Sequence, residues 1–275
     1  MPTDDQRDRL RARFAEDAGI TDRLSGEQAA RIAAETGLPL RAVERFALGE
    51  GIIPERYDRN IGTLGADGQR RLLESCVIVV GLGGLGGHVV EVLARLGVGR
   101  IVGVDPDTFV ESNLNRQLLC DMDSLGKLKT EQGALRVARV NPAVEFVPCP
   151  TTFDRVDDGV VAGCDIVFDC LDGIEARLEL VTRCEAAGRM LVHGAIAGWS
   201  GQVGLVPPGS GLLEQLYAGQ KRGIEKRLGN LPFTAAVAAS LMVAAAVPVL
   251  LGRPPSLRGL QLFDLLNGEW QTVAL

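Results

Sequence analysis

The stretch from Cys76 to Asp105 constrains the fold of this chain more than any other, because three glycines at G-x-G-x-x-G spacing stand between apolar runs. The run at 76–80 is rich in β-branched residues and predicts a strand buried on both faces. Residues 85–96 carry apolar side chains at helical spacing, and a second apolar run at 100–104 ends in the acid. Strand, glycine turn, helix, strand and acid in this order are typical of a nucleotide-binding βαβ unit.

Each residue of the glycine turn has a separate predicted role. Gly81 permits the tight turn, Gly83 lets the backbone approach a phosphate, and Gly86 lets the helix pack closely against the strand. Gly84 lies in the same turn and is included among the cofactor-binding glycines. Asp105 occupies the ribose-binding position, about 20 residues after the glycines. A tight glycine turn that binds no ligand is the alternative interpretation.

Composition and charge limit the classes of protein to which this chain can belong. The chain has 275 residues, of which 46% are hydrophobic and 23% charged, as in an ordinary soluble globular protein. Its formal net charge of −6 argues against a general nucleic-acid binder, which would present a basic surface. The six cysteines form no C-x-x-C pair, so no zinc site is predicted. The charged N-terminus lacks the apolar segment of a secretory signal, and a reducing cytoplasm is expected.

The longest apolar run, residues 235–251, contains Ser240 and Pro248. It is short for a membrane span, which needs about 20 residues. A buried core helix or a helix at a dimer interface is therefore predicted, and a membrane helix is the alternative.

Strands and helices alternate along most of the chain, which predicts an open, mainly parallel sheet with helices on both faces. This is a Rossmann-like, doubly wound α/β fold. The C-terminal third predicts an antiparallel extension of the sheet. We assign this nucleotide-binding domain to residues 51–275 and a small helical N-terminal extension to residues 1–50.

The N-terminal extension contains two short predicted helices within residues 24–49, and their pattern resembles the helix-turn-helix of DNA-binding repressors. The second helix carries Arg41 and Arg45 but also Glu44, which leaves a weak basic face. A small packing appendage is therefore favoured over DNA binding. Residues 49–65 are predicted to form a linker-like loop, and a helix from about Asp67 to Glu74 is predicted to lead into the first strand.

Polar side chains follow the predicted strand ends, where an open α/β sheet binds its ligands. They are Asp105, Asp107, Asn113, Arg116, Gln117, Lys127, Lys129 and Asp172. Cations near a glycine turn suit a triphosphate, because Arg offers a bidentate fork and Lys a point charge as a phosphoryl bond breaks. Asp172 is a candidate Mg²⁺ ligand, since Mg²⁺ uses one or two carboxylates plus substrate oxygens. Taken singly, Lys127 is more typical of a solvated helix start than of a phosphate ligand, and Asp172 is equally typical of a helix N-cap.

Six motifs together resemble one family. They are RYDRN (56–60), GLGGLG (81–86), GVGRIVGVDPDTFVESNLNRQ (97–117), GKLK (126–129), DCLDG (169–173) and GWSGQVGLV (198–206). In order and spacing they resemble the adenylating domains of ThiF, MoeB and HesA proteins, the prokaryotic relatives of ubiquitin-activating enzymes. The resemblance covers about residues 56–267.

The resemblance implies ATP-dependent adenylation of the C-terminal glycine of a small ubiquitin-like sulfur-carrier protein that ends in Gly-Gly. Such a reaction releases pyrophosphate and feeds thiamine, molybdopterin or a related sulfur pathway. It implies that Asp105 holds the ribose, with Asp107 and Gln117 also at the nucleotide. The residues implied to bind and polarise the phosphates are Asn113, Arg116 and Lys129.

The resemblance also implies a homodimer. Arg59 would reach the phosphate site of the partner subunit, as an arginine finger does. Asp172 would help to place Mg²⁺. No general base is required, because the attacking carboxylate is already ionised near pH 7.

The chain departs from the family pattern in three places. Many members carry two C-x-x-C pairs for zinc, and the corresponding segments here contain no cysteine, so no zinc is predicted. The loop before the late apolar helix lacks the reactive cysteine of some members, which leaves a thioester or persulfide step open. The family's Asp-Asn is Asp172-Gly173 here, so one side-chain contact is missing.

Three other functions are alternatives. A tRNA-modifying dehydratase of the same superfamily adenylates a small carbonyl substrate. A nucleotide-sensing regulator would bind DNA through the N-terminal helices. An NAD-dependent oxidoreductase would use the same βαβ unit, although Arg116 and Lys129 favour adenylation over hydride transfer.

Overall fold

The structure, a computed structural model, describes residues 3–17, 19–220, 223 and 225–273. The helices are α1 (Asp4–Glu16), α2 (Gly26–Thr36), α3 (Leu40–Gly49), α4 (Asp58–Glu74), α5 (Gly84–Leu96), α6 (Lys129–Val140), α7 (Asp158–Ala162), α8 (Ile174–Ala186), α9 (Leu212–Leu216), α10 (Glu225–Leu228) and α11 (Pro232–Leu250). The strands are β1 (Arg23–Leu24), β2 (Ile53–Pro54), β3 (Cys76–Val80), β4 (Arg100–Val104), β5 (Glu145–Cys149), β6 (Ile166–Asp169), β7 (Met190–Ala197), β8 (Ser200–Val206), β9 (Leu260–Asp264) and β10 (Glu269–Val273).

The main sheet has the strand order β10-β9-β8-β7-β6-β3-β4-β5. Strands β7, β6, β3, β4 and β5 are parallel, with Val77 of β3 in register with Ile101 on one side and Ile166 on the other. Strands β8, β9 and β10 extend the sheet by antiparallel pairing. The predicted α/β fold, with its antiparallel C-terminal extension, is confirmed.

Side chains of β3 alternate between two hydrophobic cores, as the two-residue period of a strand requires. Val77 and Val79 pack in one core with α5 and α11, and Ile78 and Val80 pack in the other with α8 and α9. Helices thus cover both faces of the sheet, which explains why the strand is apolar at every position.

The segment predicted as a linker-like loop, residues 49–65, is largely helical instead, so that prediction is wrong. Helix α4 begins at Asp58 and continues through Gly65, where the backbone has φ 71° and ψ 167°. Only glycine adopts this conformation without strain. Its presence lets two helical segments join across a kink.

The N-terminal extension has its own small core and is also tied to the rest of the chain. Glu44 of α3 is fully buried, and its Oε1 lies 3.0 Å from Nε of Arg56. Arg41 donates to the carbonyl of Gly99 at 2.6 Å, and Arg45 pairs with Glu74 at 2.8 Å. Both arginines of α3, the helix that would contact DNA in a helix-turn-helix protein, therefore make intramolecular contacts. The domain boundary at residue 50 stays a prediction.

Replacing Arg56 with alanine is expected to lower the free energy of unfolding by about 3 kcal/mol, because it leaves the buried Glu44 carboxylate without its partner. Burial already raises the pKa of Glu44 against the effect of Arg56. Urea denaturation followed by circular dichroism measures the change. Arg23→Ala is the matched control, since Arg23 pairs with Asp58 where both are exposed, and such pairs contribute at most about 1 kcal/mol. Equal stability of the two variants would contradict the prediction.

Helix α11 is the segment predicted as a buried core or interface helix. It is the one helix of the described residues that is long and apolar enough to cross a membrane, and half of it is buried within the protein. Its residues Ala238, Met242 and Ala246 are buried in the core that it shares with α5. This agrees with the core-helix interpretation, and a role in dimerisation stays a prediction.

Candidate active site

A cleft of about 1330 Å³ opens at the carboxyl ends of the parallel strands, where open α/β sheets bind their ligands. One end, which we call the glycine end, is lined by Gly81, Asp105, Arg116 and Lys129. The other end lies over the antiparallel extension of the sheet, and residues of β8, β9 and β10 line it. Asp172 lies between the two ends. The cleft is large enough for a nucleotide together with a second substrate.

The glycine turn has the geometry that the motif predicts. Gly81 has φ 87°, and its N–H donates to the carbonyl of Val104 at 2.8 Å. A Cβ atom on Gly86 would lie 1.8 Å from the carbonyl oxygen of Gly81, so helix and turn touch directly. Gly83 precedes α5 without a side-chain cap, and Gly84 begins the helix. Uncapped N–H groups at a helix start are a ready anion site.

Lys129 is the buried cation of the glycine end. Its Nζ lies 2.9 Å from Oδ2 of Asp107 and 3.6 Å from Oδ2 of Asp105. The Asp105 carboxylate also accepts from the N–H of Leu82 at 2.7 Å and from that of Asp107 at 2.9 Å. Burial raises the pKa of Asp105, although Lys129 opposes the shift. By contrast Lys127, two residues earlier, is exposed.

The other predicted nucleotide residues divide between the cleft and its margin. Arg116 and Gln117 line the cleft, and Nη1 of Arg116 donates to the carbonyl of Ser112 at 3.0 Å. Oε1 of Gln117 is buried and has no hydrogen-bond partner among the described residues. Asn113 is buried and does not line the cleft, and its Oδ1 accepts from the N–H of Val110 at 3.1 Å. Whether Asn113 binds a phosphate stays a prediction.

Asp172 lies in the cleft, whereas Arg59 lies outside it. Asp172 is exposed in the cleft at the turn after β6. The alternative interpretation of Asp172 as a helix N-cap is wrong, because Gly173 occupies that position before α8. Arg59 is exposed on α4 and lies outside the lining of its own cleft. Its role across a dimer stays a prediction.

The residues of the glycine end fit ATP. The unpartnered Gln117 oxygen suits a hydroxyl or amino donor, and Lys129 and the uncapped start of α5 suit phosphate. For Mg²⁺, no three His, Cys, Asp or Glu side chains cluster within the described ranges. One carboxylate, that of Asp172, is sufficient for a Mg²⁺ ion whose other ligands are phosphate oxygens and water. The absence of zinc stays a prediction.

A polar network that joins cleft-lining side chains to the fully buried Asp169 and His193 was not predicted from the sequence. Oδ2 of Asp169 lies 2.7 Å from Nε of Arg177 and 2.7 Å from Nδ1 of His193. Nη1 of Arg177 donates to the hydroxyl of Tyr217 at 2.7 Å, and Gln202 donates to the same hydroxyl at 2.8 Å. These five residues come from β6, α8, β7, β8 and the end of α9. The only signal in the sequence was a histidine within an apolar strand.

The hydrogen bonds of the network assign the tautomer of His193. Burial lowers its pKa below the ordinary value, although Asp169 opposes the shift, so the ring is neutral at pH 7. Nδ1–H then donates to Asp169, and Nε2 accepts from Gln202 at 3.1 Å. For Asp169, burial opposes ionisation, but Arg177 and His193 outweigh it and its pKa is lowered.

The stability of the protein is expected to fall as the pH drops below about 6.5. Unfolded His193 binds a proton near its ordinary pKa of 6.5, whereas the buried folded form binds it only at lower pH. The unfolded state therefore binds more protons in this interval. Urea denaturation between pH 7.5 and about 5.5 should show the slope, and His193→Asn should reduce it.

His88 provides the control, because it is the second of only two histidines. It is half-buried, and burial lowers its pKa as well. His88→Asn should reduce the slope less than His193→Asn does. An unaltered slope in the His193 variant would show that His193 is not the titrating group.

Comparison with known proteins gives the following matches. The model of the family described as the ThiF family matches residues 57–275. The SAMP-activating enzyme E1 of Haloferax volcanii is 44% identical over 160 residues, which is 56% of this chain and 59% of that protein. The sulfur carrier protein ThiS adenylyltransferase of Escherichia coli is 30% identical over 228 residues, 80% of this chain and 90% of that protein. The molybdopterin-synthase adenylyltransferase of Salmonella typhimurium is 39% identical over 153 residues, 54% of this chain and 61% of that protein.

Two of these three alignments thus span about three fifths of the relative's length. Among solved structures, E. coli MccB with ATP superimposes with a TM-score of 0.65 at 18% identity, over 98% of this chain and 86% of that one. At this identity the likeness establishes the fold. The MccB match extends through the N-terminal helices, whereas the family match begins at residue 57.

Proposed function

The chain belongs to the ThiF family, and on that premise we propose that it is an adenylyltransferase that uses ATP to activate the C-terminal glycine of a small ubiquitin-like sulfur-carrier protein. The observation that carries the proposal is the glycine end of the cleft. There Lys129 is buried beside Asp105 and Asp107 and lines the same cleft as the uncapped start of α5. Relatives with the names of carrier-activating adenylyltransferases support the same reaction.

In this reaction a carboxylate oxygen of the carrier attacks the α-phosphorus of ATP. The new P–O bond forms as the bond between the α-phosphorus and pyrophosphate breaks. The electron pair of the broken bond leaves with pyrophosphate. Lys129 and Arg116 stabilise the charge that accumulates on the phosphate oxygens. Asp105, held by the N–H groups of Leu82 and Asp107, orients the ribose. Mg²⁺ at Asp172 would supply further charge neutralisation.

The opposite end of the cleft accommodates the carrier's C-terminal segment. Small and polar residues of the sheet extension, among them Ser200, Gly201 and Gln202, line this end. A Gly-Gly terminus is narrow enough to pass between such residues and reach the nucleotide. Catalysis then depends mainly on positioning, since the carboxylate needs no base.

ATP–pyrophosphate exchange tests the proposal. The protein is assayed with single purified ubiquitin-like proteins that end in Gly-Gly, and with the same proteins lacking the last glycine. Exchange that depends on one intact carrier supports the proposal and identifies the partner. ATP binding without exchange for any carrier would favour the alternative of a small-molecule or tRNA substrate. No ATP binding would overturn the proposal.

Two alternatives are less well supported. The helix proposed to read DNA has Glu44 buried, and its Arg41 and Arg45 bond the body of the protein. An NAD-dependent oxidoreductase would offer Arg116 and Lys129 only the pyrophosphate of a dinucleotide, whereas two cations beside a glycine turn suit a triphosphate better. Stable absorbance at 340 nm when the protein is mixed with NADH and carbonyl compounds would exclude this second alternative.

The proposed homodimer predicts complementation between two inactive variants. Co-refolding Arg59→Ala with Lys129→Ala should restore about a quarter of wild-type exchange, because half of the randomly assorted dimers have one intact composite site. Co-refolding Lys129→Ala with Arg116→Ala is the control, since both residues belong to the same chain's site. No gain over the separate variants would contradict a trans-acting Arg59.

A further inference from the structure

Arg177 bonds the Asp169 carboxylate on one side, and on the other it bonds Leu171 and Tyr217, which line the cleft. It is 4% exposed, and its Nε donates to the fully buried carboxylate of Asp169 at 2.7 Å. The same guanidinium donates through Nη2 to the carbonyl of Leu171 and through Nη1 to the hydroxyl of Tyr217. One planar group therefore joins the end of β6, the turn that follows it, and the segment after α9.

The turn after β6 is held by a small number of contacts. The N–H of Leu171 donates to Oδ1 of Asp169 at 3.1 Å, and the N–H of Cys170 donates to the carbonyl of Val80 at 2.9 Å. A Cβ atom on Gly81 would lie 2.8 Å from the carbonyl oxygen of Cys170. The turn is thus in contact with the glycine turn on one side and with Arg177 on the other. Asp172 is its next residue.

We propose that Arg177 is a positioning residue that fixes the 170–172 turn and thereby holds Asp172 at its working position between the two ends of the cleft. The role assigned to Asp172 rests on the proposed function, whereas the hold of Arg177 on Leu171 does not. Asp169 and His193 keep the guanidinium in place. Lysine at position 177 would retain the positive charge but cannot donate in three fixed directions at once.

Arg183 offers a matched control on the same helix. Its guanidinium donates to the carbonyls of Phe153 and Val156 and pairs with Asp158. It therefore also joins α8 to neighbouring backbone, but none of these three partners belongs to the 170–172 turn. A purely structural role for Arg177 predicts that Arg177→Lys and Arg183→Lys behave alike.

The first measurement is hydrogen exchange at the Leu171 amide, read in wild type, Arg177→Lys and Arg183→Lys. We expect exchange at Leu171 to accelerate about tenfold or more in Arg177→Lys, which is the scale of a lost hydrogen bond to a charged group. It should stay at the wild-type rate in Arg183→Lys. If Arg177→Lys fails to fold, Tyr217→Phe, which removes one of its three acceptors, should accelerate the same amide by about fivefold. Unchanged exchange at Leu171 would overturn the proposal, whether or not the protein adenylates a carrier.

The second measurement is ATP–pyrophosphate exchange. Arg177→Lys should lower kcat by about 10- to 100-fold with little change in the KM for ATP, because a displacement near 1 Å has that scale of effect. Arg183→Lys should retain the wild-type kcat. Combining Arg177→Lys with Asp172→Ala should cost no more than Asp172→Ala alone. Additive losses, or equal losses in the two lysine variants, would show that Arg177 does not act through Asp172.

Discussion

Replacing Lys129 with alanine is expected to lower the rate of ATP–pyrophosphate exchange by about 100- to 1,000-fold, the usual effect of removing one donor that stabilises a developing oxyanion. The side chain is 9% exposed, so water cannot substitute fully for its charge. Its ammonium group lies between the carboxylates of Asp107 and Asp105. Bound phosphate would therefore compete with these carboxylates for an ammonium group that is already in place.

Lys127→Ala is the matched control, because Lys127 lies two residues earlier and is exposed. It should retain exchange within a few-fold of wild type, as most surface substitutions do. Loss of Lys129 also removes the group that opposes the raised pKa of Asp105. Circular dichroism must therefore show that the variant is folded. A folded Lys129→Ala protein with near-normal exchange would place the phosphates elsewhere.

The backbone of the nucleotide site could be predicted from the sequence because the motif is local. The motif spans six positions, and each of Gly81, Gly83 and Gly86 satisfies a steric requirement of the turn or of the helix that follows it. The same holds for Asp105, which follows directly on β4. Periodicity and turn residues were sufficient to identify these elements and the fold that they imply.

The polar network of Asp169, Arg177 and His193 could not be predicted, because its members meet only after folding. Asp169 and His193 are 24 residues apart and become neighbours through the register of β6 and β7. Tyr217 is 40 residues beyond Arg177 in sequence. Each residue alone has an ordinary alternative, such as a surface arginine or a strand histidine. Only the paired register shows that they share a buried site.

The first part of helix α4 was not predicted for a different reason, whereas its second part agrees with the helix predicted from about residue 67 to 74. Gly62 and Gly65 lie in this first part of the helix, and glycine is unfavourable within helices. The structure retains helix on both sides of Gly65 and buries Leu72 and Leu73 of the same helix. Tertiary packing outweighed local propensity, as it often does when an apolar face is available.

Replacing Gly86 with alanine is expected to destabilise the protein by about 3 kcal/mol or more, at the upper end for an overpacked core. The added Cβ would lie 1.8 Å from the carbonyl oxygen of Gly81, and a backbone atom cannot move aside as a flexible side chain can. Relief requires that α5 shift away from the glycine turn. ATP binding should therefore weaken together with stability.

Gly84→Ala is a close control for this substitution, because it adds the same methyl group to the same helix. There the nearest atoms to the new Cβ are Cγ of Arg116 at 3.6 Å and Cβ of Ala235 at 3.8 Å, which are ordinary contacts. Alanine also favours helix over glycine by about 1 kcal/mol, so this variant should be as stable as wild type or more so. Thermal and urea denaturation of both variants compare the two positions directly. If Gly86→Ala were as stable as Gly84→Ala, the close approach of helix and turn would not be a requirement of the fold, and the third glycine of the motif would need an explanation in ligand binding.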